Sequence, residues 1–497
     1  MLTLLLATLA ADPISYTISF PDPASHTARI QATFPTGGAP ALDLFLPVWS
    51  PGFYHTADYA AKINGLSFSA PDGSSLKSEH PRPNRWTVQT AGAPTITATY
   101  SLTCDRQFVT TNWVGPDSAI LNGPATFITV VDHGAHPYEV TIQPAPRWQH
   151  SKTGLEPAGE PHHYRAPDYD TLIDSPIAVG TFDIREFRVG DSRHELVCIG
   201  EVGPWGPARP VGDLQKIVTA ARDMWGTLPF DHYVFLFAFG PGGGGLEHLN
   251  STLITTPPTL GESPGGYLGW LGLVSHEYTH AFNVKRLRPV ELGPFDYENP
   301  PRTSSLWISE GLTSYYGDLM VRRAGLTTPQ ALLRQISGNI AQLQGSPGRL
   351  VQTLSQASED VWTSSMSGVR NDPTKTVSYY VKGPVVGFLL DARIRRATNG
   401  AKSLDDVMRL AYARYSGPRG FTPDEFRRTA EEVAGIDLAE FFDRALDSTH
   451  ELEYTDALEW YGLRFAAPDD SGAPNWLLEP RPDASDQQKA RLADWAR

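Results

Sequence analysis

Cysteine is nearly absent from this chain, with only Cys104 and Cys198 among 497 residues. They stand far apart and without CxxC spacing, which excludes a cysteine zinc site and a disulfide-dense scaffold; they are expected to be packing residues or a single pair. Long apolar runs are missing too. The one extended stretch, residues 1–11, is too short to span a bilayer, which takes about 20 residues, so no transmembrane segment is expected. It resembles the apolar core and small-residue cleavage site of a secretory signal, although no Lys or Arg precedes it. Export, periplasmic or secreted, is therefore the favoured expectation, with a cytoplasmic location as the alternative. Positive charge is in deficit, 41 Lys+Arg against 55 Asp+Glu for a net charge of −14. Acidic surfaces repel phosphate backbones, so nucleic acid is not an expected partner.

The hydrophobic share of 40% and the aromatic share of 10% are enough to build cores. At about 150 residues per domain, the length suggests about three domains. After the possible signal segment, residues 12–200 carry short alternating runs such as Ser15–Phe20, Thr27–Phe34, Ile96–Cys104 and Glu139–Ile142, separated by Pro/Gly/Asp-rich turns. That punctuation predicts a β-rich, sandwich-like N-terminal domain. Residues 201–328 change texture: a helix is expected over Thr219–Trp225, a buried strand over Tyr233–Phe239, a glycine-rich loop over Gly240–Gly245, and helices from Leu268 onward. A helical C-terminal domain follows over 329–455, where Thr422-Pro-Asp-Glu425 has the form of a capped helix start. Residues 456–497 read as a tail. The expected class is α+β and multidomain.

The strongest chemical signal is His276-Glu277-Tyr278-Thr279-His280. Histidines at i and i+4 share one helix face and can reach one ion. The Glu beside them is placed to take a proton from an activated water without being a ligand. Leu271, Val274, Tyr278 and Phe282 supply the packing side of this helix. Glu310, in the apolar run Leu306–Tyr316, is the favoured third ligand. Glu291 and Asp296 are nearer in sequence but lie among Pro and Gly, and rank lower.

Residues 276–289 and 291–297, with Trp307-Ile-Ser-Glu-Gly-Leu-Thr-Ser-Tyr-Tyr-Gly-Asp318, resemble the glycyl aminopeptidase family of zinc metallopeptidases, a member of the gluzincin group that also holds thermolysin. The similarity extends to Leu46-Pro-Val-Trp-Ser-Pro-Gly52, Asp174-Ser-Pro-Ile177, Gly245-Leu-Glu-His248 and Ser378-Tyr-Tyr-Val-Lys-Gly383, and covers roughly residues 13 to 455. It implies a thermolysin-like catalytic domain with one Zn2+ per chain, held by His276, His280 and Glu310, and Glu277 as general base. It implies further that Glu247 pairs with the substrate's free α-ammonium, beside Gly245 and His248. Tyr380, or its neighbour Tyr379, would stabilise the oxyanion. Lys285, Arg286 and Arg288 either attract a peptide's C-terminal carboxylate or are cations placed favourably at a helix C-terminus. Where thermolysin-type sites often carry an acid that holds a histidine, this chain has Ser314. Many family members carry a PDZ domain, and the forty or so residues after Tyr454 are too few for one, so none is expected there.

The activity implied is a zinc aminopeptidase acting on short peptides with a free N-terminus, Gly or Ala among the residues released. A zinc endopeptidase of thermolysin-like type and a catalytically inactive peptide-binding relative are the alternatives. The first would have no use for a carboxylate at Glu247, and the second would not need to retain Glu277.

Overall fold

The computed structural model describes residues 12–131, 136–202, 206, 208–362, 372–468, 472 and 474–497. The possible signal segment, residues 1–11, lies outside them. No helix among the described residues is long and apolar enough to cross a membrane.

The N-terminal region is β-rich, as its alternation predicts. Ile14–Ser19, Thr27–Pro35 and Thr95–Thr103 bury every second residue and sit side by side in a seven-stranded sheet. A four-stranded sheet and a five-stranded sheet complete this part. The five-stranded one ends in the edge strand Asp105–Phe108, which looks onto the cleft described below.

A second five-stranded sheet begins before residue 200. Ser192–Ile199 pairs in parallel with His232–Phe239, which pairs in parallel with Ser251–Thr256. Asp183–Val189 and Gly244–Glu247 close the two edges in antiparallel register. The expected division at residue 200 therefore cuts through a sheet: Ser192–Ile199 is almost wholly buried, as strands covered on both faces are. The glycine run expected to be a loop over Gly240–Gly245 is strand from Gly244 on. The helix expected at Thr219–Trp225 spans Ala208–Trp225.

From Pro264 onward helices dominate. Pro264–Thr279 starts on a Ser263 cap with Pro in its first turn. Its neighbour Thr313–Arg323 packs against it, and Pro329–Gln344 and Tyr379–Ala397 follow. One apolar cluster runs through all of these helices and on to Ala496. Residues 329–455 thus share their core with the segment before them. The expected tail is also part of this body. Helix Thr455–Tyr461, the strand pair Leu463–Phe465 and Leu478–Pro480, and helix Asp486–Trp495 all fold onto it. Trp495 anchors the end, fully buried, with its indole N–H donating to Tyr315 Oη at 2.8 Å. A polar surface with a single aromatic anchor reads as a tail because the anchoring contact is 180 residues away.

The N-terminal part and the mixed sheet meet in an apolar seam: Val109, Ile120 and Ala178 pack against Val197, Val234, Leu246 and Leu253. Beside it Lys152 reaches across to the buried Glu195 at 2.7 Å.

Candidate active site

The helix Pro264–Thr279 delivers His276 and Glu277, and His280 follows as its C-cap. The two imidazoles stand one turn apart with Nε2 atoms 3.0 Å from each other. Glu310 Oε2 lies 3.5 Å from His276 Nε2 and 3.3 Å from His280 Nε2. Three ligand atoms around a tetrahedral zinc at about 2.0–2.1 Å would stand about 3.3 Å apart, so this triangle has the size such an ion requires. The outward nitrogens are occupied as a metal site needs. His280 Nδ1 bonds the Asn283 carbonyl at 2.9 Å and His276 Nδ1 meets Ser314 Oγ at 3.3 Å, which turns both Nε2 atoms inward. The position where an acid was absent is thus filled by a hydroxyl contact.

Glu310 sits in a π-helical turn, Trp307–Leu312, rather than in a regular helix. Gly311 and Gly383 explain how the turn is held. A Cβ on either would come within 2.5–2.7 Å of the other's Cα, so only glycine lets this turn lie against the helix that carries Tyr380. The competing carboxylates are engaged elsewhere: Glu291 accepts from Thr303 Oγ1, and Asp296 accepts from the backbone N–H groups of Glu298 and Asn299.

Two further carboxylates approach the triangle. Glu247 and Glu277 each offer an oxygen within 4.8 Å of the other and of a His280 ring nitrogen. Both are buried, and Glu247 Oε1 and Glu277 Oε2 have no hydrogen-bond partner among the described residues. Burial pushes the Glu277 carboxyl well up against the pull of His280, and pushes that of Glu247 up to about 7. Burial acts the same way on Glu310, but His280 and then His276 outweigh it and hold that carboxylate below its usual range. Burial would lower His280, yet the carboxylates of Glu310 and Glu247 raise it to about 10. Three buried acids around two imidazoles form a donor set suited to a divalent cation.

Above this floor opens a cleft of about 1250 Å³, lined by Gly242–Gly245, His276, Glu277, Ser314 and Tyr380 among others. Gly245 belongs to the edge strand Gly244–Glu247, and a Cβ there would fall 2.2 Å from Glu277 Oε1, so the strand passes directly against that carboxylate. Of the tyrosine pair, Tyr380 lines the cleft, its ring centroid 6.2 Å from that of His276, whereas Tyr379 is buried beneath. His248 faces away from the cleft: its Nδ1 bonds Asp174 Oδ1 at 3.1 Å.

Arg286 is not available to a substrate carboxylate. Its guanidinium donates to the carbonyls of Leu249, Ala281 and Pro229 and to Asn250 Oδ1, a set drawn from three loops that helix position alone does not reveal. Lys285 pairs with Asp174 at 2.7 Å, and Arg288 donates to the Pro418 carbonyl. Both cysteines are buried and unpaired, in separate apolar clusters, with thiols pushed by burial up to about 12.

Some residues of the site escape sequence reasoning. Tyr54 Oη donates to Glu310 Oε1 at 3.2 Å, and Gly52 backs Glu247 so closely that a Cβ would lie 2.3 Å from its Oε1. Asp174 accepts from the Leu249 backbone N–H at 2.8 Å and so fixes the turn after Glu247. Asn283 ties the His280 loop to the Glu310 turn through Ile308 O and Thr313 Oγ1. The only signal for Tyr54 is its place two residues after the Leu46–Gly52 block.

Residues 15–181 match the family description Peptidase M61 N-terminal domain, and residues 269–386 match M61 glycyl aminopeptidase. The structure is similar to that of an aminopeptidase N family protein from Idiomarina loihiensis at 27% identity, with a TM-score of 0.86 over 95% of this chain and 82% of that one. It shares the fold of an M1 zinc metallopeptidase from Deinococcus radiodurans, solved as a mutant bound to a Tyr-Ser-Ala substrate. That likeness has 14% identity and a TM-score of 0.55, over 89% of this chain and 95% of that one. Comparison with curated protein sequences finds no match.

Proposed function

The chain belongs to the M61 glycyl aminopeptidase family, and on that premise we propose that this peptidase is a zinc-dependent aminopeptidase releasing small N-terminal residues, Gly or Ala, from short peptides. The observation that carries the reading is the triangle of His276, His280 and Glu310, 3.0–3.5 Å on a side, with the buried carboxylates of Glu277 and Glu247 beside it. Zinc held by that triangle would supply Lewis acidity toward the scissile carbonyl and acidify a water.

The chain's own residues do the rest. A peptide laid along Gly244–Glu247 extends an edge strand through its main chain, and the missing Cβ of Gly245 lets it come close to Glu277. Glu247 closes one end of that path. Its partnerless Oε1 is suited to the α-ammonium group, which limits cleavage to the first bond. Glu277 takes the proton of the attacking water and passes it to the leaving amine. The Tyr380 phenol, facing the cleft near His276, donates to the carbonyl oxygen as negative charge develops there.

Purified protein with zinc should hydrolyse Gly- and Ala-p-nitroanilide. Glu277→Gln should lower kcat by at least about 10²- to 10⁴-fold while zinc content stays at one per chain. Undiminished activity in the variant would sink the mechanism, and equal cleavage of N-acetylated analogues would sink the role of Glu247.

A further inference from the structure

The cleft wall on the far side of His276 is built from three successive turns of one helical stretch. Ser314 and Asp318, one turn apart in helix Thr313–Arg323, both line the cleft, and Glu310 precedes them in the π-helical turn. Glu310 meets the imidazoles, Ser314 meets His276 Nδ1, and Asp318 lines the cleft beside Gly272, Gln335 and Asn339. Small residues permit the close approach. A Cβ on Gly317 would lie 3.3 Å from His276 Cβ, and one on Gly272 would lie 3.5 Å from Asp318 Oδ1.

Asp318 contributes little to holding the fold. Its side-chain partner is Gln335 Nε2 at 3.5 Å, the outer limit of a hydrogen bond, and no cation forms an ion pair with it among the described residues. Arg323 is committed to Asp405. Burial with no compensating charge pushes the Asp318 carboxyl up to about 6. A half-buried acid with one long hydrogen bond, lining the cleft, is placed to meet a cationic group of a ligand.

Its position along the cleft follows from the floor helix. Glu247 approaches His280 and Glu277 at the C-terminal end of Pro264–Thr279, whereas Asp318 sits beside Gly272, one turn before His276. The two acids therefore stand on opposite sides of the imidazole pair.

We propose that Asp318 recognises a lysine or arginine side chain on the residue immediately after the scissile bond, so that the preferred substrates are short peptides with a small N-terminal residue followed by a basic one. This rests on the aminopeptidase reading, in which Glu247 holds the N-terminus and sends the downstream residue toward Asp318. The distances agree. The end of the π-helical turn and the α-helical residues Thr313–Asp318, at up to about 1.5 Å each, separate Asp318 from Glu310 by about 10–12 Å. One Cα step of about 3.8 Å, a lysine stem on the order of 6 Å and a charged hydrogen bond of about 2.8 Å span that gap. The residue after that points to the opposite face of an extended peptide, and a glutamate at the proposed position meets like charge.

The test compares Ala-Lys-Ala, Ala-norleucine-Ala and Ala-Glu-Ala as substrates of the zinc-loaded protein and of Asp318→Asn. The wild type should favour Lys over norleucine by about ten- to a hundredfold in kcat/KM, with Glu the poorest. In Asp318→Asn the Lys-to-norleucine ratio should fall to about one. A wild-type ratio near one, or a ratio unchanged in the variant, overturns the proposal. Calorimetric binding of the same peptides to Glu277→Gln, with and without Asp318→Asn, reads the preference without cleavage. Discrimination that depends on Asp318 in a protein that releases no alanine refutes the aminopeptidase reading alone. Equal affinity for all three peptides refutes the role of Asp318.

Discussion

Gly52 lies in the N-terminal β-rich part, yet replacing it with alanine should disable the site. Its φ of +88° is left-handed, and a Cβ there would lie 2.3 Å from Glu247 Oε1 and 2.6 Å from its Cδ. Two costs follow and they can be separated. The backbone penalty for a non-glycine residue at such a φ is about 1–2 kcal/mol and appears as lost stability. The collision is a matter of function, because a contact with a carbon atom opens to about 3.5 Å and the Glu247 carboxylate must retreat by more than 1 Å. Misplacement of that size costs on the order of 10²-fold in kcat/KM, or about 2.7 kcal/mol of transition-state stabilisation. Gly37→Ala supplies the control: Gly37 also has positive φ, +57°, but a Cβ there meets nothing within 4 Å. The assay is hydrolysis of Ala-p-nitroanilide at fixed zinc, with thermal melts of both variants. Gly52→Ala should lose about two orders of magnitude at a temperature where it is still folded, while Gly37→Ala loses stability only. Activity losses that track the melting temperature equally in both variants would refute the reasoning.

Tyr380→Phe should lower kcat by about 10²- to 10³-fold with little change in KM, because its hydrogen bond strengthens only as the oxyanion forms; an unchanged kcat removes the phenol from the chemistry. Asp318→Asn should also stabilise the fold in a pH-dependent way. The folded carboxyl is raised from 3.8 to about 6, so ionisation opposes folding: the penalty is absent below about pH 4, grows through pH 6 and is complete above it. At about 1.36 kcal/mol per pH unit its ceiling is about 3 kcal/mol. Melting temperatures of variant and wild type should coincide at pH 4 and separate at pH 8, with the variant higher; a gap of the same size at both pH values counts against an uncompensated charge at Asp318.

The features legible in the sequence are those set by local geometry. His276, Glu277 and His280 declare themselves because a four-residue helical step is written into the chain itself. Glu310 stood out as the one carboxylate in an apolar run, although its π-helical turn did not, since that depends on Gly311 meeting Gly383 seventy-two residues on. Alternation marks the β-rich region but not its end, because Ser192–Ile199 is strand-like in any context and its partner His232–Phe239 lies beyond a helix. Arg286 reads from sequence either as a site for a peptide's carboxylate or as a cation at a helix terminus, and only the folded loops around Pro229 and Leu249 reveal why it is buried. Tyr54 falls just beyond a block of family resemblance and Asp174 within another, but the sequence assigns neither a role. Their partners, Glu310 and the turn after Glu247, lie 256 and 75 residues away.

The same long-range contacts tie completion of the site to completion of the fold. Tyr54, Gly52 and Asp174 emerge from the ribosome well before the residues they brace, and domains fold largely in order of synthesis. The pocket around Glu247 and Glu310 is complete only once the later half has docked on the earlier one across the seam of Val109, Ile120 and Ala178. A nascent chain, or one whose halves have come apart, holds the HExxH helix without a finished site around it. The site is thus a property of contacts between the two parts of the fold and not of the helix that carries His276 and Glu277 alone.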